Sequence, residues 1–311
     1  MAKYTSLEAY EIQSLAKRYG VEVSDSHLIE TGDGNSSCFL DNSGRKYVLT
    51  ISDNRPLEDV INMVRLLDFL AEYDFPASRV VPLLDGEKVT VYREKPVILK
   101  HYIPGETIRN IPEKGLYTLG LTLARLHQIP APDFIPQTHS FGLDTFSDAM
   151  GLNFDVEFED WLAEKGEWIK KRMPTGLPRS LIHCDVSWDN IIFLNGEFQG
   201  LIDFEDACEF FKVYDLSSAF YGMCMDDGVL DLEKASKILR GYQEIRPLDE
   251  DERSMLQLFA VYVPVALSAW RYMKYNLYNP IEERKNKHLE TAAIAEIIQA
   301  LPPEEFNQLF D

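Results

Sequence analysis

The stretch of sequence that decides the fold covers residues 180–207 and reads SLIHCDVSWDNIIFLNGEFQGLIDFEDA. Its centre, Asn195-Gly196, is the dipeptide most typical of a two-residue hairpin turn, because a type I′ turn requires positive φ at both central residues. Counting back from this turn places Asn190 opposite Leu201 and leaves Asp203 just beyond the second strand. The pattern therefore predicts that Asn190 and Asp203 meet at one end of a single hairpin.

Asp185 lies a short loop before Asn190, so it can reach the space at the end of this hairpin. Two carboxylates and an amide suit a hard cation such as Mg²⁺, which keeps several waters and binds nucleotide phosphates. The same set matches a phosphoryl-transfer site, where one Asp accepts the proton of the acceptor hydroxyl and the other two residues hold metal ions. A purely structural role is disfavoured, because buried polar groups without partners cost about 1–3 kcal/mol each.

The segment resembles the aminoglycoside phosphotransferase/choline kinase superfamily, a group of small-molecule kinases with a protein-kinase-like fold. That family's pattern is H-x-D-x-x-x-x-N, then I-D-[FW], then D-[LI], and it is matched here by His183, Asp185 and Asn190, by Ile202-Asp203-Phe204 and by Asp215-Leu216. The resemblance covers the whole chain, including Ile103-Pro-Gly105 and Leu123-Ala-Arg-Leu-His127. Within the superfamily the chain is most similar to the type II homoserine kinases, through Tyr4-Thr5, Asp189-Asn190, Leu201-Ile-Asp-Phe204, Ala207-Cys208 and residues 241–247.

The resemblance implies a role for each residue of the pattern. Asp185 would be the catalytic base, Asn190 and Asp203 would bind Mg²⁺, and ATP would be the co-substrate. His183 would order the catalytic loop, and Asp215 would support that loop from below.

The same resemblance implies a nucleotide site in the N-terminal third. Backbone N–H groups and hydroxyls of a glycine-containing turn would lie over the ATP phosphates, and the candidates are Gly32, Gly34, Ser36 and Ser37. The hinge strand that would pair with adenine contains His101, Tyr102 and Ile103. The chain departs from the family at Thr50, where a lysine usually contacts ATP, and Arg55, paired with Glu58, is the predicted substitute.

The acceptor is predicted only by resemblance, which favours a hydroxyl of a small amino-alcohol metabolite, with homoserine first. Trp270, Arg271 and Tyr272 are candidates for the acceptor pocket, although a core helix explains them equally well. One alternative is an aminoglycoside or choline-type phosphotransferase. Another is a non-catalytic nucleotide-binding scaffold protein, for which Thr50 is the only support.

The periodicity of the chain predicts an α+β, bilobal fold with lobes at 1–102 and 103–311, and the resemblance implies that this fold is protein-kinase-like. The first lobe would be a small antiparallel sheet with an inserted helix, because short apolar runs separated by turns alternate with one helical pattern. The second would be mostly helical. Predicted strands are 27–30, 38–40, 47–51, 80–84, 89–92, 97–102, 191–194 and 198–202; predicted helices are 7–19, 57–73, 113–129, 157–172, 232–244, 249–275 and 285–301.

The composition limits which classes of binding partner are expected. The 311 residues contain 31 Lys plus Arg against 51 Asp plus Glu, a formal net charge of −20. Such a surface repels phosphate backbones and anionic lipid, so no nucleic-acid or membrane partner is expected. The apolar stretch 256–270 is interpreted as a buried core helix, and four cysteines without metal-ligand spacing, together with the lack of a signal peptide, predict a cytoplasmic protein.

Overall fold

The computed structural model describes residues 5–29 and 34–310, and it confirms the predicted α+β class. The first hundred residues form an antiparallel sheet and two helices: α1 (Ala9–Arg18), β1 (Asp25–Ile29), β2 (Asn35–Asn42), β3 (Arg45–Ser52), α2 (Leu57–Glu72), β4 (Thr90–Tyr92) and β5 (Lys95–His101). The five strands lie side by side in the order β1-β2-β3-β5-β4, and each neighbouring pair is antiparallel.

The two faces of this sheet have different partners. Leu49, Ile51, Val97 and Leu99 point to one face, where they form a buried cluster with apolar residues of α1. Ile98 points to the other face and joins the core that also contains residues of α2. Because successive side chains of a strand alternate between faces, this pattern fixes which residues of β2, β3 and β5 face the rest of the protein.

The remainder of the chain is mostly helical, as predicted. Its elements are α3 (Glu113–Leu126), α4 (Val156–Lys170), β6 (Arg179–Ile182), β7 (Ile191–Leu194), β8 (Glu197–Leu201), β9 (Cys208–Phe211), α5 (Lys212–Met223), β10 (Met225–Asp226), β11 (Val229–Leu230), α6 (Leu232–Ile245), α7 (Glu250–Met273), α8 (Lys287–Ala300) and α9 (Pro303–Phe306). These strands form three two-stranded sheets, which pair β6 with β9, β7 with β8, and β10 with β11. The division into lobes 1–102 and 103–311 stays a prediction, with its boundary just after β5.

Glycines bring α3 and α6 into backbone contact. A Cβ atom on Gly120 would overlap the carbonyl oxygen of Ile238, and one on Gly241 would overlap the carbonyl oxygen of Tyr117. Packing this close leaves no room for larger residues, so these two positions fix how α6 lies on α3.

The helix α7, which contains the apolar stretch 256–270, is a core helix, as its sequence predicts. It continues through Pro264, and most of its residues from Leu256 to Met273 are buried. Within the ranges 5–29 and 34–310, we find no helix with both the length and the apolar character that a membrane span requires.

The structure differs from the predicted elements at several places, and β10, β11 and α9 are among the elements that were not predicted. Residues 80–84 form no strand, and only Val80 bridges to Lys100. The pair β6–β9 is additional. The helix α5 is also additional, because residues 213–220 are all buried and therefore lack the one-sided apolar pattern by which a helix is recognised.

Candidate active site

The hairpin β7–β8 brings Asn190 and Asp203 to one end, with a register that differs slightly from the prediction. A bulge after Ile192 shifts the pairing, so Ile191 rather than Asn190 lies opposite Leu201. The physical reason lies at Gly200, where a Cβ would be only 2.9 Å from the carbonyl oxygen of Pro76; β8 bends to meet that segment. The N–H of Ile202 donates to Asn190 O at 2.9 Å, which keeps Asn190 next to Asp203.

Asn190 is bonded to Asp185, so all three residues of the predicted set are at one place. The amide nitrogen of Asn190 donates to the main-chain oxygen of Asp185 at 2.9 Å and to its Oδ2 at 3.0 Å. The amide oxygen of Asn190 accepts no hydrogen bond from any residue in the described ranges. It is therefore available to a ligand.

Negative charge is concentrated around this set. Burial raises the pKa of Asp185 to about 7, and the carboxylate of Asp203 adds to the rise. Burial also raises the pKa of Asp203, against the opposing positive charge of Lys100. Two residues on, burial and Asp203 raise the pKa of Glu205 to about 7. Carboxylates that are desolvated and repel one another favour binding of a cation.

The donor set fits a divalent cation that is only partly held by protein. No three His, Cys, Asp or Glu side chains among residues 5–29 and 34–310 are grouped to enclose a metal ion. Mg²⁺ does not need such an enclosure, since it usually keeps waters and phosphate oxygens beside one or two carboxylates. The Asp203 carboxylate and the free amide oxygen of Asn190 are the ligands that would hold it.

The catalytic loop is held in place by buried groups beneath it. Asp215 is fully buried and accepts hydrogen bonds from the N–H groups of His183, at 2.7 Å, and Cys184, at 2.8 Å. His183 in turn contacts Ile202 O through Nε2 at 2.9 Å, which ties the loop to the segment before Asp203. Both residues therefore contact the segment that contains Asp185, and their role in supporting a catalytic loop stays a prediction.

His127 completes this support and was not among the predicted site residues. Its Nε2 lies 3.1 Å from Asp215 Oδ2, and its Nδ1 lies 2.8 Å from the Tyr242 hydroxyl. The bonding pattern requires Nε2–H to donate to the carboxylate and Nδ1 to accept from the tyrosine. The sequence signal was present in Leu123-Ala-Arg-Leu-His127, but nothing local showed what the histidine contacts.

The predicted phosphate-binding turn is only partly described. Gly32 lies outside the described residues, and Gly34 immediately precedes β2. Ser37 lies opposite Thr50 and donates to its hydroxyl at 3.2 Å. Ser36 points to the other face of the sheet, where its hydroxyl donates to Asp53 at 2.5 Å, so the hydroxyl does not share the face of Thr50; the contact of Ser36 with ATP stays a prediction.

Arg55 has different partners from those predicted. Its guanidinium pairs with Asp206 at 2.6 Å and with Glu205 at 3.6 Å, whereas Glu58 is exposed. The pairing with Glu58 is therefore wrong, because the half-buried carboxylates that follow Asp203 lie within reach of Arg55 and attract it more strongly.

The hinge residues lie at the end of β5, which includes His101, and directly after it. The N–H of His101 donates to Arg79 O at 2.8 Å and that of Tyr102 to Lys46 O at 3.2 Å. The Tyr102 ring packs edge-on against Phe39, with centroids 5.7 Å apart. Since the first two N–H groups are engaged within the protein, Ile103 is the remaining candidate donor to adenine among the three predicted residues.

The three predicted acceptor residues do not all have the same surroundings. Tyr272 is fully buried, and its hydroxyl is bonded to Glu159 and to the N–H groups of Phe154 and Asp155, so its placement in the pocket is wrong. Trp270 packs edge-on against Phe141.

Arg271 and Asp185 both act electrostatically on Tyr221 of α5. Burial raises the pKa of the Tyr221 hydroxyl, the charge of Arg271 and a hydrogen bond to it lower that pKa, and Glu290 and Asp185 raise it further. Tyr221, on the unpredicted helix α5, is thus a site residue that the sequence did not reveal.

The fold and this convergence of an Asp, an Asn and a second Asp define a phosphotransferase of protein-kinase-like architecture. The sequence profile of the phosphotransferase enzyme family matches residues 27–248, and the chain belongs to that family.

Relatives and solved structures agree with this assignment. The chain is 30% identical over 274 residues to a homoserine kinase of Phenylobacterium zucineum (strain HLK1), covering 84% of this chain and 83% of the relative. It is 27% identical over 298 residues to a homoserine kinase of Mesorhizobium japonicum, covering 90% and 88%. A microcompartment-associated aminopropanol kinase has a similar structure, with a TM-score of 0.75 at 18% identity over 97% of this chain and all of that one.

Proposed function

We propose that this phosphotransferase transfers the γ-phosphoryl group of ATP to the hydroxyl of homoserine. The family assignment makes it a kinase that phosphorylates an alcohol, and several relatives are homoserine kinases. The observation that carries the choice of acceptor is the similarity to homoserine kinases, at 27–30% identity along 84–90% of this chain. Homoserine is an amino acid with a side-chain hydroxyl, so it carries a carboxylate beside the group to be phosphorylated.

Asp185 is the proposed catalytic base, which accepts the proton of the acceptor hydroxyl as the phosphoryl group moves. Asn190 and Asp203 are the proposed ligands of Mg²⁺, which when bound supplies positive charge that neutralises the phosphates. The transition state of phosphoryl transfer is loose, so positioning and electrostatic stabilisation do most of the catalytic work. The support beneath the loop, from Asp215, is therefore as important as the reacting groups.

Charge discriminates among the possible acceptors. Arg271 would pair with the carboxylate of homoserine. Choline and aminoglycosides carry positive charge without a carboxylate, so a guanidinium that binds the acceptor would disfavour them. The non-catalytic scaffold is disfavoured as well, because binding a nucleotide alone does not require Asp185 beside Asn190.

The first test is release of ADP from Mg-ATP with homoserine, 1-amino-2-propanol, choline and an aminoglycoside as separate acceptors. We expect selective turnover with homoserine, lost in Asp185→Asn. Turnover with choline or the aminoglycoside but not homoserine would reject the proposed acceptor. Tight ATP binding with no turnover of any acceptor would favour the scaffold.

The second test concerns recognition of the carboxylate. Loss of a hydrogen bond to a charged group costs about 1.5–3 kcal/mol, so Arg271→Met should raise KM for homoserine about 10- to 100-fold. Turnover of 1-amino-2-propanol, which has no carboxylate, should change little. Arg253→Met is the matched control, because Arg253 lies on the same helix near its other end and bonds to Gln243. Equal effects of Arg271→Met on both acceptors would contradict this role.

A further inference from the structure

The nucleotide site needs a cation that the expected position does not supply. Thr50 occupies the family's usual lysine position and is buried, with its hydroxyl bonded to Ser37. Arg55, the nearby alternative, is already paired with Asp206 and Glu205. A different side chain must therefore meet the phosphates.

The strand register identifies a lysine on the same face as Thr50. In the antiparallel pair β3–β5, Thr50 lies opposite Ile98 and Val48 lies opposite Lys100. Directly opposed residues share a face, and residues two apart on one strand share it too. Lys100 is thus the diagonal neighbour of Thr50, about 7–8 Å away between Cα atoms.

This face is the one that looks toward the catalytic residues. Asn35, on β2, lies opposite Ser52 and so shares the face of Thr50. Its side-chain nitrogen donates to Glu205 Oε1 at 2.7 Å, which links the face to the segment after Asp203. The side-chain oxygen of Asn35, Oδ1, is buried without a hydrogen-bond partner among the described residues. This is a further sign that the space can take a polar ligand.

Lys100 is half-buried, and its ammonium group has no bonded partner in the described part of the chain. This group forms no hydrogen bond or ion pair with any residue in the described ranges, unlike the ammonium groups of Lys88 and Lys95 in the same part of the chain. Its charge nevertheless acts on two carboxylates of the site, because it opposes the rise that burial causes in the pKa of Asp203 and of Glu205. The ammonium group therefore lies on the face of the sheet that Thr50 shares, on the side of the proposed metal ligand Asp203.

We infer that Lys100 is the cation that binds the nucleotide phosphates, in place of the lysine missing at Thr50. The inference rests on the proposed use of ATP, but not on the identity of the acceptor. A lysine is a compact point charge on a flexible stem, so it can reach a phosphate from a neighbouring strand as well as from the usual one. The replacement of lysine by Thr50 is thus a relocation of the charge rather than its loss.

The test is direct binding of ATP, ADP and adenosine in the presence of Mg²⁺ and without acceptor, measured by calorimetry. Lys100→Met should weaken ATP and ADP by about 10- to 100-fold, the range for losing a hydrogen bond to a charged group, and leave adenosine within about twofold. Lys100→Arg, which keeps the charge, should restore most of the affinity. Lys88→Met is the control, because it removes another lysine from the first hundred residues, one that is bonded to Asp68. This variant should bind all three ligands normally.

Two outcomes of this experiment would overturn the inference. One is unchanged affinity of Lys100→Met for ATP and ADP. The other is an equal loss for adenosine, which would mean that Lys100 supports the sheet or the adenine pocket instead. A wild-type protein that binds neither ATP nor ADP would overturn the proposed function together with this role, whereas failure to phosphorylate homoserine would leave the binding result standing.

Discussion

Replacing Asp215 with Asn tests whether the catalytic loop is held by one buried carboxylate. Its Oδ1 accepts from the N–H of Cys184, and its Oδ2 accepts from the N–H of His183 and faces His127 Nε2. An amide offers one oxygen that accepts and one nitrogen that only donates. In either orientation of the new side chain, at least one of the three donors faces an NH₂ group.

The expected cost follows from that mismatch. A hydrogen bond to a charged acceptor contributes about 1.5–3 kcal/mol, and a buried donor left without a partner costs about 1–3 kcal/mol. The two figures describe the same loss in part, so we expect Asp215→Asn to lower the free energy of unfolding by about 3 kcal/mol. Cys184 increases the sensitivity of the loop, because its φ of +77° is unfavourable for an L residue and its N–H bond to Asp215 holds it there.

Urea unfolding followed by tryptophan fluorescence measures the stability change, and steady-state kinetics measures the effect on the loop. A shift of about 1 Å at Asp185 can lower the rate about 100-fold, so kcat should fall strongly while ATP affinity changes little. Ser217→Ala is the matched control, since Ser217 is equally buried on the same helix but bonds to Val213 O. If Asp215→Asn behaves like this control in both assays, the carboxylate does not hold the loop.

Two further predictions concern the loop's packing and the pH dependence of stability. A Cβ on Gly222 would overlap Val186 O, so Gly222→Ala should displace the loop and lower kcat at least about tenfold. Gly176→Ala is the control, because a Cβ on Gly176 would lie in open space and should leave kcat unchanged. Equal kcat values for the two variants would contradict this prediction. Burial lowers the pKa of His139 to about 4 from 6.5, so the unfolded chain binds this proton first and stability falls as pH drops from about 6.5 toward 4. At pH 5 the free energy of unfolding should be about 2 kcal/mol lower than at pH 8. Urea unfolding of His139→Phe should not show this decrease. An unchanged pH dependence of stability in the variant would refute the assignment to His139.

The parts of the site that sequence could predict are those set by short-range patterns. The Asn195-Gly196 turn defines the hairpin, and the spacing from Asp185 through Asn190 to Asp203 follows from it, apart from the one-residue bulge. That bulge depends on the distant segment at Pro76, which no local pattern contains. A local rule therefore gives the right residues with a register that is off by one.

Long-range packing decides the parts that sequence could not predict. Tyr221 lies on a helix that is buried along most of its length and so shows no amphipathic pattern. Arg55 has carboxylates about 150 positions away as partners, and they outcompete the exposed Glu58 three residues on. Lys100 becomes interesting only when the β3–β5 register puts it on the face of Thr50. Each case depends on which elements meet, and not on the residues of one element.

The charges of the cleft explain why a metal–nucleotide complex suits it better than a simple ion. Asp185, Asp203 and Glu205 are carboxylates whose pKa values are raised by burial, so the protein alone leaves their charge poorly compensated. Lys100, on the sheet side, is a cation without a bonded partner in the described part of the chain. A ligand that is only positive would satisfy the carboxylates and repel Lys100, and a ligand that is only negative would do the reverse. A complex of Mg²⁺ with nucleotide phosphates carries both signs, so it would satisfy both sides at once, with Asp203 as the proposed metal ligand and Lys100 as the proposed partner of the phosphates.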